Sequence, residues 1–117
     1  MIIQMRIIGD VRILDCNGKI KLGEGTMAIR NAIRDALDSG TKKVVLNLAE
    51  VTYIDSAGIG ELMRTYTSVM EGGGRLKLLH LTKGIRELLT ITKLLTIFDV
   101  FDDEKEALAS FNSSSTR

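Results

Sequence analysis

The sequence contains no proline and no tryptophan, one cysteine and one histidine. With Cys16 alone, no intramolecular disulfide can form, and the disulfide frameworks of small secreted domains are excluded. One Cys and one His supply no recognisable ligand set, so no metal is expected. Aromatic residues make up 4% of the chain, too few for the stacking platforms that bind single-stranded nucleic acid. The 16 basic and 15 acidic residues leave a net charge of +1, with no basic stripe to hold nucleic acid or an anionic membrane. No apolar run approaches the roughly 18 residues of a membrane span. Met1-Ile2-Ile3-Gln4-Met5-Arg6 lacks a basic segment followed by a long apolar one, so a cytoplasmic location is expected.

What remains reads as one ordinary globular domain. The 117 residues, 44% of them hydrophobic, are enough for a single core. Ile2 to Ile8 and Val11 to Cys16 are runs rich in β-branched residues, separated by Gly9-Asp10. That is a hairpin signal with Gly first, and Asn17-Gly18 reads as its exit turn. In the second run Val11 and Ile13 share one face, and Leu14 and Cys16 the other. Over 24–38, Ile29, Ala32, Ile33, Ala36 and Leu37 form one apolar helical stripe, with Gly40 placed to end it. Val44 to Leu48 is nearly continuous in apolar residues, as in a parallel strand buried on both faces. A second helix follows over 57–71, with Ile59, Leu62, Met63, Tyr66, Val69 and Met70 on its stripe, and Gly72-Gly73-Gly74 ends it.

Arg75 to Leu81 reads as a strand, Ile85, Leu88 and Leu89 as a short helix, and Ile97 to Phe101 as a last strand. Asp103 and Glu106 have the spacing of a helix start before Ala107, Leu108 and Phe111. The fold class is α/β: a small mixed sheet of about five strands packed with four to five helices. Residues 1–111 form one domain, and 112–117 read as a disordered tail.

The informative segment runs from Val44 to Leu62. A buried strand and a short loop lead to Asp55-Ser56-Ala57-Gly58 at a helix start. Partners and ligands meet open α/β sheets in this region, beyond the carboxyl ends of the strands. Asp and Ser are both favoured N-caps, so the local pattern alone reads as a cap. Asp55 can hold that role by itself, which leaves Ser56 free to point outward. Ala57, Gly58 and Gly60 have almost no side-chain bulk, so another protein can come close. Two glycines in a first helical turn cost about 1 kcal/mol each against alanine, which folding alone does not explain.

This segment, Val51-Thr52-Tyr53-Ile54-Asp55-Ser56-Ala57-Gly58-Ile59-Gly60, resembles the STAS domains of anti-sigma factor antagonists. The resemblance extends over nearly the whole chain, to about Phe111. It implies a non-catalytic binding module whose phosphorylated serine is Ser56. Its implied partners are an anti-sigma factor with serine kinase activity, which it binds when unphosphorylated so as to release a sigma factor, and a serine phosphatase that resets it. Asn47 departs from the family, which often has Asp at that strand end. The docking surface is expected to comprise Asp55, Ser56, Ala57, Gly58, Gly60, Glu61, Arg64 and Thr65. The alternative is a non-switching STAS adaptor subunit of a sensory or membrane-transport assembly.

Other signals are weaker. Ser56, His80 and Asp55 could be assembled into a hydrolase triad, but no nucleophile elbow is present. His80 shares strand parity with Leu76 and Leu78 and reads as a packed strand-end residue. Neither Gly58-Ile59-Gly60 nor Gly72-Gly73-Gly74 carries the Lys-Ser/Thr of a phosphate loop, so no cofactor is expected. Cys16, Met63 and Met70 read as core.

Overall fold

Gly9, at φ 62°, turns the chain between β1 (Ile2–Ile8) and β2 (Val11–Ile20). The two strands pair antiparallel without interruption, from Ile8 opposite Val11 to Ile2 opposite Asn17. Next come α1 (Glu24–Asp38), β3 (Lys43–Ile54), α2 (Ser56–Glu71), β4 (Arg75–Leu79), α3 (Lys83–Ile91), β5 (Asp99–Phe101) and α4 (Glu104–Ser113). The sheet order is β1-β2-β3-β4-β5, with β2 through β5 parallel. The structure is a computed structural model that describes residues 1–113.

Strand alternation sorts the core into two layers. Leu14 and Cys16 of β2, Val44, Leu46 and Leu48 of β3, and Leu76 and Leu78 of β4 face one side. Ile29 and Ile33 of α1, Ile59, Leu62 and Val69 of α2, and Ile85 and Leu89 of α3 cover them there. On the opposite side Val11, Ile13, Val45 and Leu79 meet Ala107 and Phe111 of α4. The expected split of β2 into two faces and the burial of β3 on both are therefore observed. Gly40 follows α1 at φ 86°, as its position implied.

Five expectations about element limits are corrected. β2 does not stop at Asn17-Gly18 but continues to Ile20. β3 is longer than Val44 to Leu48, so the two strands pair beyond the rest of the sheet, to Ile20 opposite Ile54. Asn17-Gly18 is absorbed as an irregularity, with register shifts between Asp15 and Asn17 and between Gly18 and Lys19. The backbone partners offered by β3 win over local turn chemistry. β4 stops at Leu79, so His80 is not on a strand face. It takes φ 57° and donates its backbone N–H to the Phe101 carbonyl at 2.8 Å. β5 is three residues, not five. The last helix includes Asn112 and reaches Ser113, past the expected domain end at Phe111, and residues 114–117 of the expected tail lie outside the described residues.

Candidate functional site

Because β3 runs to Ile54, no loop separates it from α2, and the strand delivers Asp55 straight to the helix start. Asp55 has extended backbone angles and is the N-cap. Its Oδ1 accepts the Gly58 N–H at 2.8 Å, and its Oδ2 accepts the Leu22 N–H at 3.1 Å. One carboxylate thus caps α2 and ties down the β2–α1 loop. These backbone N–H groups, with Gly58 first, hold its carboxyl below the usual carboxylate range. Ser56 is the first helical residue and is exposed. Its hydroxyl has no hydrogen-bond partner among the described residues. A serine at this position with the cap already taken is not needed for the helix.

The remaining expected surface residues divide. Ala57 is half-buried, and Gly60 and Arg64 are exposed. Nothing lies within 4 Å of where a Gly60 Cβ would stand. Gly58 is buried: a Cβ there would lie 2.1 Å from the Ile20 carbonyl oxygen and 2.6 Å from Ile54 Cγ1. It lets α2 pack against the end of β2 and presents no open backbone. Glu61 is only 3% exposed. Its Oε1 accepts from Arg30 Nη2 of α1 at 2.7 Å and lies 3.8 Å from Arg64 Nε. Thr65 is buried as well, and its Oγ1 has no hydrogen-bond partner among the described residues. Gly58, Glu61 and Thr65 therefore sit beneath the surface on which the sequence reading placed them. For Gly58 the reason is the end of β2; for Glu61 and Thr65 it is α1, which packs alongside α2 and covers that flank.

Two residues were missed. Leu22, in the loop that Asp55 holds, is 77% exposed. Arg30 reaches over from α1 to Glu61, a contact that raises its own pKa. Leu22, Arg30, Ala57, Gly60, Glu61 and Arg64 line one shallow hollow beside Ser56. An apolar residue in a loop, between Lys21 and Gly23, was the available signal for Leu22.

Asn47 has a local explanation. It lies opposite Asp15, and its Nδ2 donates to Asp15 Oδ1 at 2.8 Å. Arg6 grips the same Asp15 through Nε at 2.6 Å and Nη2 at 2.9 Å, and reaches Glu104 through Nη2 at 2.8 Å. Both carboxyls are held below their ordinary values, mainly by Arg6. An aspartate at 47 would set a second carboxylate against Asp15. The triad idea gains nothing: His80 donates its backbone N–H, not its ring, to Phe101, and the Ser56 hydroxyl has no hydrogen-bond partner among the described residues. Cys16 is buried, and burial pushes its thiol up to about 12. Among the described residues no cluster of His, Cys, Asp and Glu could hold a metal ion, and no helix is long and apolar enough to cross a membrane.

Residues 3–107 match the STAS domain family model. BtrV of Bordetella bronchiseptica, provisionally named an anti-sigma factor antagonist, is 32% identical over 81 residues, 69% of this chain and 70% of that one. The Bacillus subtilis anti-sigma-B factor antagonist is 40% identical over 53 residues, 45% of this chain and 49% of its own. Among solved structures, a Thermotoga maritima protein with the same provisional name superimposes with a TM-score of 0.85 at 27% identity, covering 92% of both chains. Bacillus SpoIIAA, in its phosphorylated form, shares the fold with a TM-score of 0.73 at 19% identity, covering 94% of this chain and 99% of that one. The match spans nearly the whole described sheet and its helices, and the chain belongs to the STAS domain family.

Proposed function

We propose that this protein is an anti-sigma factor antagonist, acting by binding rather than catalysis and switched by phosphorylation of Ser56. The observation that carries the reading is the exposed, unpartnered Ser56 hydroxyl at the start of a helix that Asp55 already caps. Relatives named as anti-sigma factor antagonists supply the role. Unphosphorylated, the protein binds an anti-sigma factor that is also a serine kinase, and a sigma factor is released. A serine phosphatase resets the modified form. The partner meets Ser56, Ala57, Gly60 and Arg64 directly. Asp55, Gly58, Glu61 and Thr65 shape that surface from below.

The physics favours a switch that leaves the fold in place. A helix start presents N–H groups and the positive end of the helix dipole, so it accommodates a phosphate. Phosphoserine adds about −1.5 to −2 charges next to Asp55. That charge and bulk fall on the docking surface and turn the partner away. The test is incubation with ATP and the kinase isolated from the native cell, followed by peptide mapping. One phosphate on Ser56 is expected; a phosphate on Ser68 or Ser113 instead would overturn the reading.

A further inference from the structure

β1 is an edge strand: it pairs with β2 on one side, and no strand pairs with its other side among the described residues. Most natural edges are protected by proline, by lysine, by a bulge or by a cover. β1 has none of the first three. Its sequence is Ile-Ile-Gln-Met-Arg-Ile-Ile, and its register with β2 is unbroken. Of the nine large apolar side chains exposed among the described residues, four are on this strand: Ile2, Met5, Ile7 and Ile8. Ile2 is 66% and Ile7 61% exposed. The single charge, Arg6, is already matched by Asp15 and Glu104. No free charge on the strand repels a neighbouring copy.

The strand is also a palindrome in hydropathy. Laid antiparallel on a second copy with a two-fold axis through Met5, it sets Ile2 opposite Ile8, Ile3 opposite Ile7, and Gln4 opposite Arg6. Met5 meets itself. Every apolar residue finds an apolar one, and the two polar residues find each other. A two-fold interface demands such self-complementarity, because the same patch serves both subunits. We propose that β1 is the interface of a symmetric dimer of this protein, in which two five-stranded sheets join edge to edge in the Met5-centred register. The free backbone groups of both edges then hydrogen-bond to each other. A seven-residue strand pair buries less than the roughly 1,200 Å² of a standard interface, so the dimer is expected to dissociate at about 10–100 µM.

Cysteine scanning tests both the dimer and its register. Directly opposite residues of an antiparallel pair have Cα atoms about 4.5–5.5 Å apart, within the roughly 4.4–6.8 Å of a disulfide. The native thiol, Cys16, is buried and does not compete. Under mild oxidation Met5→Cys should therefore give a cross-linked dimer at least tenfold faster than Ile2→Cys, whose thiols would be about 20 Å apart. Ile2→Cys mixed with Ile8→Cys should cross-link, although neither does alone. Sedimentation equilibrium should show the wild type dimerising, and Met5→Lys should weaken it at least tenfold with an unchanged melting curve. Equal cross-linking at positions 2 and 5, no cross-link in the mixed sample, or a wild type monomeric at 0.5 mM would each overturn the proposal; in the last case the edge serves another chain's strand.

Discussion

Gly58 and Gly60 lie two positions apart in the first turns of α2, and the same residue type has opposite reasons there. Gly58 is glycine because the Ile20 carbonyl oxygen would stand 2.1 Å from any Cβ. Gly60 has nothing within 4 Å, so packing does not require it. The fold explains the first; the second is free of the fold, and the proposed docking surface is the use assigned to it. Asp55 and Ser56 repeat the contrast. Each carboxylate oxygen of Asp55 accepts a backbone N–H, while the neighbouring Ser56 hydroxyl has no partner among the described residues. The proposed switch uses the position whose chemistry folding has left over.

The sharpest way to break the contrast is to add one methyl at each glycine. Gly58→Ala should destabilise the protein by about 3 kcal/mol or more, because the obstruction is backbone and cannot rotate away. Urea unfolding measures it, and a loss under about 1 kcal/mol would mean that α2 can shift freely. Glu61→Ala comes next. It strips Arg30 and Arg64 of a buried partner and leaves a small cavity, for an expected loss of about 2 kcal/mol, moderated because Arg30 can turn to water. Binding of the anti-sigma factor should weaken with it, since the arginines beside Ser56 lose their anchor.

Asn47→Asp tests whether the satisfied cluster around Arg6 is as self-contained as its geometry implies. The donor to Asp15 becomes a second carboxylate, and a loss of about 1 kcal/mol at pH 7 is expected. The pH dependence has a definite sign. Asp15 and Glu104 have folded pKa values below their unfolded ones, so in the wild type their stabilisation is complete above the unfolded values and fades as pH falls through the folded ones. In the variant, two facing carboxylates raise one pKa, so the deficit should be largest near neutrality and shrink below about pH 4. Thermal melts at pH 7 and pH 3.5 decide it; a deficit that grows on acidification would contradict the assignment.

Gly60→Ala should raise stability by about 0.5–1 kcal/mol, the ordinary helical preference, whereas Gly60→Trp should leave the fold intact and weaken the partner complex at least tenfold. Calorimetric titration of the two variants against wild type separates a docking residue from a neutral one.

How far the sequence could be read follows from where each constraint originates. The helical stripes, the Gly9 turn, the two faces of β2 and the Asp55 cap are local, and periodicity or spacing exposes them. The burial of Gly58 depends on a carbonyl 38 residues earlier in the chain, which no local pattern carries. Glu61 is expected on the docking surface because it lies off the α2 stripe; it is buried because α1 brings Arg30 across it. The extra lengths of β2 and β3 exist only because each strand gives the other its hydrogen-bond partners. Asn47 departs from the Asp that the family often has there, and its partner Asp15 lies on another strand, 32 residues earlier, where no local pattern points to it. The Asp55 cap and the helix that begins at Ser56 were legible because both are contained in four residues.

The most direct test of the account pairs a melting curve with a binding isotherm for wild type, Ser56→Ala and Ser56→Asp against the anti-sigma factor. With Asp55 holding the cap, Ser56→Ala should shift stability by only a few tenths of a kcal/mol, where a true N-cap would lose about 1 kcal/mol. Ser56→Ala should still bind, and should keep binding in the presence of ATP and kinase. Ser56→Asp should melt at or above the wild-type temperature, since a negative charge suits a helix start, yet bind at least tenfold more weakly. Opposite signs for stability and affinity in Ser56→Asp are the predicted result. Parallel losses of both in the two variants would contradict it and make Ser56 a structural residue.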